Sequence, residues 1–107
     1  MAMPDDNSDE ALLRVRLNGE TARYRWNELQ RFFAAGSVIA VSDRLDLIDV
    51  AVGIARDDKA AVAAWMANQQ LGQVSDRQAL AWLERDAELW TVVVKPWILV
   101  QEEKPQA

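Results

Sequence analysis

The run Leu89-Trp-Thr-Val-Val-Val94, followed by Lys95-Pro96 and then Trp97-Ile-Leu-Val-Gln101, constrains the fold more than any other stretch of this chain. Both segments are rich in β-branched and aromatic residues, which suit a pleated, buried surface. Each is short and bounded, as strands are. Proline cannot donate to a ladder, so Pro96 marks a bend, a bulge or a sheet edge between the two. Apolar spacing elsewhere is mostly helical. Together these predict an α+β domain, with several helices packed on a small mixed or antiparallel sheet.

The helical spacing is clearest in the middle of the chain. Trp26, Leu29, Phe32 and Phe33 recur on one face of a helix that stops at Gly36. Ser37–Val41 is short and apolar and reads as a buried strand. Asp43 is expected to cap a helix running to about Arg56. Asp57 or Asp58 starts the next helix, with Val62, Trp65, Met66 and Gln69 along one side, and Leu71-Gly72 ends it. Ser75 with Gln78 three residues on is a capping-box pattern. It opens a helix over 76–86 that buries Ala79, Leu80, Trp82 and Leu83.

The segment before Trp26 admits two readings. Ser8 is a candidate N-cap and Gly19 a candidate stop, which gives a helix over 9–18 and a strand over 21–25. Leu13, Val15 and Leu17 also alternate with Arg14 and Arg16, and Asn18-Gly19 is a hairpin signal. The hairpin would set Arg14 opposite Arg23, and like charges directly opposite are unfavourable. The helix with a following strand is the preferred reading.

A chain of 107 residues has room for one core. Residues 1–7 read as a disordered lead-in, 8–102 as the domain and 103–107 as a polar tail. The acidic N-terminus has no basic n-region leading to an apolar h-region, so a secretory signal is not expected. No apolar run approaches the length of a membrane span. Cysteine is absent, and a cytoplasmic location is the better expectation.

Histidine is absent as well. The two absences remove Ser-His-Asp and Cys-His catalysis, imidazole acid–base chemistry, and zinc sites built on His or Cys. The four glycines stand apart and form no phosphate loop. No cofactor is implied. The net charge of −5 argues against nucleic acid, whose binding rests on neutralising phosphates.

Three groups of residues remain as candidates. Asp43, Asp46 and Asp49 supply oxygen ligands of the kind that suit Mg²⁺ or Ca²⁺. Asp46 and Asp49 share a stripe with Gly53 and Arg56 on an otherwise apolar helix. Capping and solvent exposure explain the same aspartates, and their spacing does not match a calcium loop. Arg14, Arg16, Arg23 and Arg25 make a candidate anion or partner face, since arginine forks suit carboxylates and phosphates. A solvated, partly neutralised face accounts for them too. Of the five tryptophans, Trp26, Trp65 and Trp82 belong to apolar faces. Trp90 and Trp97 flank Pro96 and form a candidate interface on a sheet edge.

The C-terminal run through Glu102 resembles a known bacterial family. So do Gly19-Glu-Thr-Ala22, the spaced set Trp26-x-Glu-Leu29-x-x-Phe-Phe-Ala-x-Gly36, and Leu45-Asp-Leu-Ile-Asp-Val-Ala51. In that order they are similar to domain of unknown function 2288, over residues 12–102. The resemblance implies a small stand-alone bacterial protein and supplies no activity. The expected function is therefore a non-enzymatic interaction or regulatory module, with a protein partner or self-association as a homodimer. The alternative is a carboxylate-dependent enzyme or divalent-metal binder using Asp46 and Asp49.

Overall fold

The computed structural model describes residues 6–102; the predicted C-terminal tail and residues 1–5 of the predicted lead-in lie outside them, and Asp6 and Asn7 of that lead-in begin the first helix. Helix α1 (Asp6–Glu20) leads to strand β1 (Ala22–Arg25), a 3₁₀ turn (Trp26–Leu29) and helix α2 (Gln30–Ala34). Strand β2 (Val38–Val41), helices α3 (Leu47–Ala55) and α4 (Lys59–Ala67), and strand β3 (Leu71–Gln73) follow. Helix α5 (Asp76–Glu84) and strands β4 (Glu88–Val94) and β5 (Trp97–Glu102) complete the chain. The α+β expectation holds. Of the two readings before Trp26, the helix and strand are the ones formed. Asn18 and Gly19 lie inside α1, and Ser8 lies within the helix rather than at its start.

One five-stranded sheet has the order β1-β4-β5-β2-β3. β2 runs parallel to β5, and the other neighbours are antiparallel. The sheet is mixed. Lys95-Pro96 forms the turn of the β4–β5 hairpin, through a cis peptide bond. That hairpin occupies interior positions of the sheet; the edges are β1 and β3. The Pro96 region is therefore the end of a central hairpin, not the sheet edge expected from the sequence.

Alternation along the strands divides the interior in two. Val92, Val94, Leu99 and Val41 face Leu17 of α1, Val50 and Ala51 of α3, and Trp65 of α4. Leu89, Ile98, Val100 and Val38 face Trp26, Leu29 and Trp82. Helices thus cover both sides, which is why β5 reads as a continuous apolar run. Trp26 and Trp82 are fully buried, with ring centroids 5.0 Å apart in an edge-to-face arrangement.

Local signals explain most boundaries. Ser75 Oγ accepts the Gln78 backbone N–H at 3.1 Å, and Asp58 Oδ1 accepts that of Ala61 at 3.1 Å. Asp43 does not cap α3. It lies in the preceding turn, and Asp46 caps instead, accepting from Ile48 at 2.9 Å and Asp49 at 3.0 Å. Helices α3, α4 and α5 end on Asp57, Gln69 and Asp86, all with positive φ. Each closes with the paired backbone bonds of a Schellman turn, such as Gln70 N–H to Trp65 O at 2.9 Å with Gln69 N–H to Met66 O at 3.0 Å. The α4 helix therefore stops before Leu71-Gly72, which pairs with β2 as strand β3. Leu80 and Leu83 are about half exposed, contrary to the expectation that α5 buries them. The face of α5 that meets the sheet carries Ala79 and Trp82.

Candidate functional site

The aspartates are held by structural work. Asp46 is committed to the first turn of α3, and Asp49 Oδ1 accepts from Arg14 Nη1 at 2.6 Å. Arg14 also pairs with Glu10 at 3.4 Å, and Glu10 with Arg56 at 3.3 Å. This network ties α1 antiparallel to α3. The hydrogen bond to Asp49, followed by the attraction of Asp49 and then the contact with Glu10, raises the Arg14 pKa above its ordinary value; desolvation opposes them. A raised arginine pKa stabilises the fold below its ordinary titration range and is lost only far above neutrality. Gly53, grouped with Asp46 and Asp49 in the sequence reading, does not lie on a polar face. A Cβ there would come within 2.9 Å of the Trp65 ring, so the residue is the point where α4 closes on α3. Among the described residues, no group of three or more acidic side chains gathers as a cation site would need.

The four arginines are split between two places. Arg14 and Arg16 lie on α1, and Arg16 pairs with Glu20 at 3.9 Å. Arg23 and Arg25 lie on β1, where Arg23 meets Glu88 at 3.3 Å and Arg25 meets Asp86 at 3.5 Å. With Arg85 and Glu102 they border a polar cleft of about 500 Å³. Its cations are matched by carboxylates, and Arg85 pairs with Glu102 at 3.4 Å.

The tryptophan group separates more sharply. Trp26 and Trp82 are core, and Trp65 and Trp90 pack against the other cluster while partly buried. The Arg23 guanidinium lies 5.5 Å from the Trp90 ring centroid. Trp97 is 36% exposed at the mouth of a groove of about 910 Å³.

That groove is roomier than the polar cleft beside Arg23 and Arg25. Its floor comes from the sheet, through Ile39 of β2 and Leu71 of β3. One wall comes from the helical pair, through Ile54 at the end of α3 and Val62 and Met66 of α4. The β4–β5 turn contributes Pro96, and β5 contributes its first residue, Trp97. The Schellman turn at Asp57 reverses the chain between α3 and α4, so that Lys59, the first residue of α4, also lines the groove. Lys95 stands on the hairpin side. Neither lysine has an ion-pair partner among the described residues. Sequence reasoning identified Pro96 and Trp97 but missed Lys59, Lys95 and Leu71, because the groove joins elements far apart in the chain.

Sequence reasoning also missed Gln101. Its buried side chain donates from Nε2 to Ser42 O at 2.8 Å and Leu45 O at 2.7 Å. It thereby fixes the loop that delivers Asp46 to the start of α3.

A mixed sheet covered by helices on both sides, with one apolar groove, defines a small α+β domain with a concave face. Residues 12–102 match the family described as "Protein of unknown function (DUF2288)", and the chain belongs to that family. It is also similar to PA1075 from Pseudomonas aeruginosa, whose solution NMR structure superimposes with a TM-score of 0.77 at 41% sequence identity. That similarity covers 100% of this chain and 96% of the other. No curated protein matches. No helix among the described residues is long and apolar enough to cross a membrane.

Proposed function

We propose that this protein is a small, non-enzymatic interaction module whose working surface is the groove bearing Pro96 and Trp97. The observation that carries the reading is Trp97, about a third exposed, in the lining of an apolar groove. A tryptophan in that position offers a large apolar area to a partner, and such residues dominate binding energies. Trp90, the other candidate beside Pro96, is partly buried and supports the sheet behind it. The simplest form of the interaction is self-association, with the same face of two copies in contact. The absence of cysteine supports a cytoplasmic setting.

Light scattering on the purified protein tests this form. The expected result is a dimer mass at high micromolar concentration, falling to the monomer mass in Trp97→Ala. A wild-type monomer at that concentration would overturn self-association through this face.

A further inference from the structure

Taking the groove as the working surface, we infer that it accepts a slender amphiphilic carboxylate: a small molecule with an unbranched apolar body and one anionic end. Size is the first support. About 910 Å³ lies near the upper end of the usual range for small-molecule sites. Shape is the second. Of the apolar side chains lining the groove, Met66 and Trp97 are the large exposed ones, at 55% and 36%. Leu71 is buried, and Ile39, Ile54 and Val62 are recessed. The large apolar surface on offer is therefore limited, set among buried and half-buried neighbours, and it suits a narrow chain.

Charge is the third support and selects the head group. The chain has three lysines. Both of those in the described region, Lys59 and Lys95, line this groove. The arginines Arg14, Arg16, Arg23, Arg25, Arg56 and Arg85 all sit against carboxylates. The two lysines, like Arg31, Arg44 and Arg77, have no such partner among the described residues, and they are the cations of this groove. The groove also holds one carboxylate, Asp57, so its lining keeps a positive balance on a chain of net charge −5. An anionic end complements that balance, and a cationic end opposes it. The apolar body then lies against Ile39, Leu71 and Val62, beside the Trp97 ring.

Isothermal titration with decanoate, below its micelle concentration and at low salt, tests the inference. Two probes accompany it: butanoate, with the same charge and a short body, and decyltrimethylammonium, with the same body and opposite charge. Decanoate is expected to bind at one saturable site. Both other probes should bind about ten-fold more weakly or less, the scale set by two exposed charge pairs or by several buried methylenes. The double variant Lys59→Gln, Lys95→Gln should bind decanoate about ten-fold more weakly. It should also lose the salt dependence while melting as the wild type does. Decanoate should shift any wild-type dimer toward monomer. Equal binding of decanoate and decyltrimethylammonium, or no decanoate binding, would overturn the inference. If decanoate fails while a Trp97-dependent dimer forms, the ligand class falls and the groove stands. If decanoate binds Trp97→Ala as tightly as wild type, its site lies elsewhere and the inference falls, while the light-scattering test decides the proposed function separately.

Discussion

The two sides of the sheet bury comparable sets of strand residues but finish differently. On one side Trp26, Trp82, Phe33 and Leu29 fill the space under α2 and α5, with the Trp26 and Phe33 rings 5.4 Å apart. The Trp82 indole Nε1 donates to Glu102 Oε2 at 2.7 Å, which Arg85 also holds. On the other side the fully buried core is aliphatic, with Trp65 and Trp90 partly buried against it, and α1 and α3 are joined at the surface by ion pairs. That side closes well near Arg14 and Asp49 but leaves the groove between α4 and the Pro96 turn. A tryptophan therefore means two things in this molecule. Where helices seal the sheet it is structural, and where they stop short it is available to a partner.

The comparison can be broken first on the aromatic side. Trp26→Ala removes one of the two largest fully buried side chains, and truncating such a residue costs about 3–5 kcal/mol. Urea denaturation should show a loss of this size. A change below about 1 kcal/mol would mean that the aromatic core is not what holds α2 and α5 to the sheet. A smaller effect is expected on the aliphatic side. Gly53→Ala places a Cβ within 2.9 Å of the Trp65 ring, and overpacking of this kind costs about 1–3 kcal/mol. The same denaturation experiment checks it. An unchanged midpoint would show that α4 shifts freely, and the groove wall would then be softer than the packing implies.

How far this was legible in the sequence differs between the fold and the groove. The strands around Pro96, the caps at Ser75 and Asp58 and the aromatic spacing from Trp26 to Phe33 all carried strong local signals. Asp43 and Asp46 both precede an apolar run, so either could have capped α3. Spacing does not choose between them; the buried Gln101, which pins the intervening loop to β5, does. Helix ends at Asp57, Gln69 and Asp86 were obscured because a left-handed stop usually announces itself by glycine. The glycine at 72 took that role in the sequence reading and hid the three-residue strand β3. Pairing of β2 with β5, across most of the chain, is a long-range choice that no local pattern records. The groove inherits the same difficulty. Lys59 and Lys95 looked like two scattered charges until the α3–α4 reversal and the hairpin turn brought them to one cavity.

The central claim, that Trp97 is the available tryptophan while Trp26 and Trp82 are structural, can be read in one spectrum. The five indole N–H resonances of the ¹⁵N-labelled protein report each tryptophan separately. On titration with decanoate, or on raising the protein concentration, the Trp97 resonance should move progressively while those of Trp26 and Trp82 stay in place. Movement of Trp26 or Trp82 with Trp97 stationary would contradict the account.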